Sequence, residues 1–530
     1  MLRWKDTSSN VSYLPVGSGR HNDDDGVVTK YRNIVKGNRL LLIVSLGLIF
    51  GVLLTALNVW ELHRMQREHM SMHASPEGRS GMESNGPVVW VHGKKVNSGY
   101  LDHVFIVFER LGFTRGTNES NWDVLWAHDY PFKELKETIM NLKHQKVNHF
   151  PASGYITNKV NLATSVFRHV PKAFKIPSQR DKLKTYAKEN PNKMFVQKSN
   201  NHRGIKIKKI EDLDMSAEGS FIQEFIDKPL LVDGYKFDIG VYTVITSINP
   251  LRVYTYEGDY LFRFCNTVYE PFDADNKKKY VVGDDYRPIW KMESLMKYYS
   301  DQKFGMRESF KTYCKVKGLD CDKIWFAIKE SIIEVILNKE ESLIQAASKY
   351  PLSDNNFFEL MRFDFVVDED LNVYLMEANM SPNLSTSHFK ENKLLYQQVL
   401  YNLLSVAGVA RRVHSDTIQH KNDDEENMVV SDRDITVFSE ICGSDECTEA
   451  GGCQKEKCSI CHQCMNPKQR NILKAAYREH LDRHATQRLI PTHMHPEEGA
   501  SIVDVPTLNS KNKWMFLWFH GKCKMHSSWC

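Results

Sequence analysis

The chain is short of net charge: 70 Lys and Arg against 66 Asp and Glu leave +4 over 530 residues. No basic stripe interleaved with aromatic residues runs along it, so the electrostatic footprint of a nucleic-acid binder is missing. No repeat of roughly 20 to 50 residues recurs, which excludes solenoids and propellers. Glycine-rich phosphate loops are also missing. The loop best placed to cover phosphates, Ser199-Asn200-Asn201-His202-Arg203-Gly204, holds a single glycine. The apolar run near the N-terminus starts late and lacks a small-residue cleavage site, which argues against a removed signal peptide. What is present is ordinary for a globular chain: 42% hydrophobic and 26% charged residues, enough length for two or three domains with ample core.

Residues 1–39 are polar and turn-rich and read as a disordered tail. Residues 40–60 are apolar without charge, about the length that spans a bilayer, and read as a transmembrane helix anchoring the chain in lipid. Residues 61–86 read as a stalk, 87–172 as a small α/β domain, and 173–410 as the main α/β (α+β) core. Helical periodicity runs from Ile324 to Ala347 and from Asn392 to Ala407, where Gly408 is a stop signal. Residues 411–440 form an acidic linker around Asn422-Asp423-Asp424-Glu425-Glu426, which predicts that the C-terminal cysteine cluster beyond it is a module separable from the ATP site. A cysteine-rich module at 441–466 and a tail at 467–530 complete the chain.

The chemistry concentrates in a few segments of the core. Phe357 to Val367 and Val373 to Asn379 read as strands joined by Asp368-Glu369-Asp370-Leu371-Asn372. Residues two apart on a strand share a face, so Glu377 and Asn379 point the same way, and a short hairpin sets Asp364 close to Glu377. Three oxygen ligands on one spot suit a hard cation such as Mg2+ or Mn2+ holding nucleotide phosphates; solvated acids on a half-buried hairpin are the alternative. Upstream, the strand Met194-Phe195-Val196-Gln197-Lys198 leads into the loop carrying Arg203 and Gly204. Alternation from Lys236 places Lys236, Asp238, Gly240 and Tyr242 on one face and Phe237, Ile239 and Val241 on the other.

In this order, together with Asn148-His149-Phe150-Pro151-Ala152-Ser153-Gly154 with Thr157-Asn158-Lys159 and the Lys228-Pro229-Leu230-Leu231-Val232-Asp233-Gly234-Tyr235-Lys236-Phe237-Asp238 run, residues 148 to 400 resemble the tubulin tyrosine ligase-like family, of the tubulin polyglutamylase type. The resemblance implies an ATP-grasp core that joins an amino acid, glutamate, to a protein side chain through an acyl phosphate, with tubulin or microtubules as partner. It implies that Lys198, Arg203 and Gly204 touch the phosphates and that Gln223, Glu224, Phe225 and Ile226 line the adenine pocket. Lys236, Phe237 and Asp238 complete the ATP site, Asp364, Glu377 and Asn379 hold the metal, and Arg263 meets the amino acid. Arg203 and Lys236 join Arg263 in offsetting charge during transfer.

Two departures from the family pattern stand out. The motif normally continues from Lys-Phe-Asp through an apolar residue to arginine, and here that position is Gly240. No His-Leu-Thr-Asn-Tyr-Ser segment follows Arg263; the chain runs Glu270 to Asn276 into Lys277-Lys278-Lys279 instead. A non-catalytic, ATP-binding or structural membrane protein with a degraded core, and a ligase for a secretory-pathway protein, are therefore the competing readings.

Cys442, Cys447, Cys453, Cys458, Cys461 and Cys464 crowd together, with Cys523 and Cys530 at the end. Disulfides suit an exoplasmic setting. Zinc held by the Cys-x-x-Cys-x-x-Cys part and His462 is the less favoured alternative, and an iron–sulfur run lacks its fourth Cys-Pro, since Asn466 precedes Pro467. Lys30, Arg32, Lys36 and Arg39 against Arg64 and Arg67 place the N-terminus inside, and the Asn118-Glu119-Ser120 sequon agrees. That orientation conflicts with tubulin, which is cytosolic.

Overall fold

Asp238 to Tyr242 alternate as expected because they belong to one long strand, Tyr235–Ile248, around which the core of the computed structural model is built. The structure describes residues 48, 50–51, 53–61, 86–199, 205–350, 356–410, 427–497 and 508–530. The described residues from Ser84 onward form one unit, separate from the N-terminal one.

The first layer is a parallel sheet of β1 (Val88–His92), β2 (Thr114–Gly116), β3 (Val124–Ala127) and β4 (Lys146–Val147) in the order β2-β1-β3-β4, with the helix Asp102–Arg110 between β1 and β2. Its apolar strands share one core with the later sheet: Val104, Leu125, Phe262, Phe363 and Leu400 belong to a single buried cluster. A second, antiparallel sheet is ordered β5-β8-β6-β7, from β5 (Ala173–Ile176), β6 (Phe195–Ser199), β7 (Lys206–Lys208) and β8 (Ser220–Glu224). The helix Arg180–Glu189 closes it over Phe174, Leu183, Phe195 and Ile222.

The third sheet carries β9 (Leu231–Val232), β10 (Tyr235–Ile248), β11 (Leu251–Tyr256), β12 (Leu261–Phe264), β13 (Arg287–Pro288), β14 (Glu359–Val367), β15 (Val373–Asn379) and β16 (Thr486–Ile490). β10 pairs with β14 along one edge and with β12 and β11 along the other. The two expected helices are Asp322–Ala347 and Lys393–Val406, and Gly408 takes a left-handed φ of 72° just past the second.

The C-terminal stretch departs from expectation. Residues 467–530 hold the helices Pro467–Leu481 and Ser510–Met525, and β16 pairs with β11. Asn466 and Pro467, which deny an iron–sulfur motif, instead start a helix: Asn466 and Gln469 form a capping box with Pro at the first turn. Glu479 on that helix accepts from the buried Arg252 of β11 at 2.9 and 3.0 Å, and Asn512 accepts from Leu251 N at 2.8 Å. The C-terminal stretch thus supplies an edge strand of the third sheet and bonds to its neighbour β11. The acidic run from Asn422 to Glu426 lies outside the described residues.

The cysteines pair with each other: Cys442–Cys461, Cys447–Cys458, Cys453–Cys464, Cys523–Cys530 and Cys314–Cys321. This corrects the zinc alternative. The three sulfurs of the Cys-x-x-Cys-x-x-Cys run go to three different partners, and His462 is bonded to Asp432 at 2.9 Å. Of the expected membrane span, 40–60, residues 40–47, 49 and 52 lie outside the described residues; residues 53–61 are helical with exposed side chains. Among the described residues no helix is long and apolar enough to cross a membrane, so the anchor has no support from the fold.

Candidate active site

The alternation of β10 and the β14–β15 hairpin put one polar face together. Asp238 lies opposite Arg263, Gly240 opposite Asp364, and Asp364 opposite Glu377, with Arg362 opposite Asn379. These side chains meet because residues two apart share a face on each strand.

Each carboxylate there has a cation. Arg263 donates to Asp238 through Nε and Nη2 at 2.8 and 2.9 Å and reaches Asp364 Oδ2 at 3.0 Å. Arg362 donates to the two oxygens of Asp364 at 2.7 and 2.9 Å. Lys159, at the start of the short helix Lys159–Thr164, donates to Glu377 at 2.7 Å. Asn379 bridges the acids, its Nδ2 lying 3.2 Å from Asp364 and 3.3 Å from Glu377.

Burial works against ionised Glu377, but Lys159 outweighs it and holds the carboxyl down at about 2. Burial pushes Asp238 up to about 6 against the pull of Arg263, with Asp364 adding to the rise. Burial also opposes the charge on Arg362, and Asp364 more than offsets it. Two further cations bond only neutral oxygens among the described contacts: Lys198 donates to Gln223 Oε1 at 3.1 Å, and Lys236 to Tyr280 O at 2.9 Å. Burial lowers both, Lys198 to about 8 with neighbouring Lys236 adding to the fall. Lysines held in this state gain from an incoming anion.

Asp364 and Glu377 bring carboxylate oxygens to one spot with the Asn379 amide beside them, a set that fits a hard divalent ion once the amide turns its Oδ1 in place of the Nδ2 that faces both acids. Among the described residues no group of three or more His, Cys, Asp or Glu is placed to hold a metal ion.

The remaining expected site residues divide. Gln223 is buried and also donates to Pro171 O at 3.0 Å. Glu224 is engaged by Lys193 and by the Tyr186 hydroxyl, and Phe225 packs with Phe272 and Tyr280, so the strand edge from Gln223 to Ile226 forms one wall beside Lys198. Phe237 is a correction. Its ring is buried among Phe262, Phe264 and Phe310, on the opposite side of the strand from Lys236 and Asp238, and it serves the core. Arg203 and Gly204 lie outside the described residues.

Arg362 and Lys159 are the contributors that sequence reasoning passed over. Arg362 carried a signal, standing two residues before Asp364 and therefore on its face. Lys159 entered only as the end of the Thr157-Asn158-Lys159 stretch that carries the resemblance, without a role, since its partner is 218 residues away. The segment replacing the missing Thr-Asn motif leads to Tyr280, whose carbonyl holds Lys236. Behind the hairpin, buried Glu359 accepts from Phe150 N at 2.8 Å and pairs with His149 at 2.7 Å, clamping the 148–154 segment onto β14.

A long central strand flanked by an acidic hairpin, with a smaller antiparallel sheet presenting a lysine, is a mixed α/β arrangement of the ATP-grasp kind. The tubulin-tyrosine ligase family pattern matches residues 137–416. The chain is 41% identical over 464 residues to the probable tubulin polyglutamylase ttll-15 of Caenorhabditis elegans, covering 84% of this chain and 88% of that one. It is 28% identical over 354 residues to the mouse tubulin polyglutamylase TTLL6, 59% and 41% respectively, and 27% over 322 residues to the human tubulin monoglutamylase TTLL4, 56% and 26%. The chain belongs to the tubulin-tyrosine ligase family and is a ligase. It spans well under half of the TTLL6 and TTLL4 chains.

Proposed function

We propose that the protein uses ATP to join glutamate to a carboxylate side chain of a protein acceptor, tubulin being the acceptor that the relatives' names point to. The observation that carries this is the meeting of Asp238, Asp364, Glu377 and Asn379 with Arg263 and Lys159 on one face, beside Lys198 and Lys236. Amide formation needs an activated carboxylate. The γ-phosphoryl moves onto the carboxylate oxygen, ADP leaves, and the amine displaces phosphate from the acyl phosphate.

Such a transfer asks the protein for position and charge more than for covalent chemistry. Lys198 and Lys236 bind the phosphates, and the wall from Gln223 to Ile226 receives the base. Arg263 orients the amino acid's carboxylate. A divalent ion at Asp364, Glu377 and Asn379, Mg2+ or Mn2+, would supply charge neutralisation at the phosphates. The test is full-length protein with ATP, Mg2+, glutamate and tubulin, read by mass spectrometry. Additions in glutamate steps that disappear in Glu377→Gln support the reading. ATP binding with no addition to any tubulin form defeats it.

The five cystines favour a second reading of the acceptor. Disulfides persist in oxidising compartments and are rare in the cytosol. One of them, Cys314–Cys321, lies inside the catalytic core, and Asn118 of the sequon is exposed. A catalytic unit on the exoplasmic side would act on a secretory-pathway protein, and the charge flanking residues 40–60 agrees with that orientation. Protease protection of the C-terminal region in sealed microsomes supports this acceptor class; digestion without detergent returns the acceptor to the cytosol.

A further inference from the structure

Gly240 is a glycine that its backbone does not require. It sits inside β10 without a left-handed φ. A glycine within a strand marks a bulge, a bend or a close approach of another group. Here it is close approach: a Cβ on residue 240 would stand 3.0 Å from Arg362 Cδ, 3.4 Å from Arg362 Nε and 3.2 Å from Asp364 Oδ1. The space that a side chain at 240 would take is filled by the stem and guanidinium of Arg362, reaching across from β14. Arg362 is itself buried, and a buried guanidinium persists only when paired, as this one is to Asp364.

The position of Gly240 is where the resembling family pattern carries arginine. We propose that Arg362 supplies from β14 the guanidinium that β10 lacks, so that the ligand-facing cation has moved to the neighbouring strand and the glycine is the room made for it. The inference rests on the ligase reading and gives Arg362 a role toward an oxyanion of the reactants, either a substrate carboxylate or the γ-phosphoryl group. Charge supports it. Arg362 takes both oxygens of Asp364, while Arg263 is already shared between Asp238 and Asp364; without Arg362, Asp364 would keep only that shared guanidinium as its cation, on the face where anionic reactants must enter.

The test uses the full-length protein and three variants: Arg362→Gln, Gly240→Arg, and the exchange Gly240→Arg/Arg362→Gly. Steady-state turnover, calorimetric titration with ATP, titration with glutamate in the presence of a non-hydrolysable ATP analogue, and melting temperature are read for each. Arg362→Gln should lower kcat/KM by about 10² to 10³, the loss typical of a charge-stabilising donor. Gly240→Arg alone should also lower it, because two guanidinium groups then contend for one space. The exchange should recover at least about ten-fold over either single variant, a return of roughly 1.4 kcal/mol.

A raised KM for glutamate with unchanged ATP affinity assigns the oxyanion to the substrate carboxylate; weakened ATP binding assigns it to the phosphoryl group. Either supports the proposal. A role confined to holding Asp364 would appear as a lowered melting temperature with kcat/KM of the folded enzyme kept, and would overturn it. So would a folded Arg362→Gln protein within about three-fold of the parent in kcat/KM and in both titrations, or an exchange variant no better than the worse single. If the parent shows no turnover, the ligase reading fails and the two titrations still decide the role of Arg362.

Discussion

Removing Glu479 tests whether the C-terminal region is part of the catalytic unit. Its carboxylate accepts from Arg252 Nε and Nη2 at 2.9 and 3.0 Å, from the Tyr254 hydroxyl at 3.0 Å and from the Thr246 hydroxyl at 2.8 Å. Arg252 is fully buried on β11, the strand that pairs with β10 on one side and β16 on the other. Glu479→Ala leaves that guanidinium without its carboxylate partner. Breaking one half of a buried pair costs about 3 to 5 kcal/mol, whereas replacing both halves by apolar residues of similar volume is often neutral. For a cooperative unit this large, the specific entropy of unfolding converts each kcal/mol into roughly 1 °C, so a fall of about 3 to 5 °C is expected. The Arg252→Met/Glu479→Leu double variant should recover most of it. Differential scanning fluorimetry measures all three, with calorimetry as a check on cooperativity. A Glu479→Ala protein melting within about 1 °C of the parent would refute the reasoning. Deleting 467–530 should be worse than either, since it also strips β16 from the sheet edge.

Three further outcomes are expected from the same geometry. His480 is stacked on Trp529 and held down at about 3 by burial, with Arg483 and Arg488 adding to the fall; the unfolded chain therefore binds the extra proton between about 3 and 6.5, and stability should drop as pH falls through that window. His480→Gln should flatten that limb of the melting-temperature profile. Alkylation of the denatured, unreduced protein should label one thiol, Cys265, and all 11 cysteines after reduction; six or more labelled without reductant would contradict the pairing. Glu377→Ala should weaken ATP binding in Mg2+ by roughly ten-fold or more, about 1.4 kcal/mol, and leave metal-free ATP binding much less affected; equal loss in both titrations would place the metal elsewhere.

The hairpin was legible because two independent signals agreed on it. Apolar and aromatic runs gave the two strands and the acidic turn gave the hairpin; the register from the turn, Val367 across from Val373, would by itself set Asp364 across from Met376, and a shift between Asp364 and Phe365 brings Glu377 across instead. The face of β10 was legible from the alternation that starts at Lys236. What escaped was everything that depends on partners far along the chain. Arg362 meets Gly240 across 122 residues of sequence, and Lys159 meets Glu377 across 218. Cysteine pairing escaped because six cysteines allow 15 connectivities and spacing does not choose among them. Phe237 was misassigned by carrying a motif over whole: its neighbours on either side face the site, and a strand cannot turn three successive residues one way.

Lys198 offers the sharpest measurement of whether phosphates enter this site. It is half-buried, its ammonium donates to the neutral Gln223 Oε1, and burial together with Lys236 lowers it to about 8. Between about 8 and 10.5 the unfolded chain holds the proton and the ligand-free protein does not, so stability should rise with pH across that window. Ligand binding runs the other way. A phosphate beside Lys198 favours the ammonium, so ATP binding near pH 8 should draw a proton from solution, and affinity should fall as pH climbs further. Calorimetric titration at pH 8 in two buffers of different ionisation enthalpy reads that proton directly. Lys198→Arg should keep a cation at the position and remove the proton uptake, because guanidinium does not titrate in this range. Lys198→Met should remove both the uptake and much of the affinity. Identical heats in the two buffers for the parent protein would mean that the phosphates do not reach Lys198.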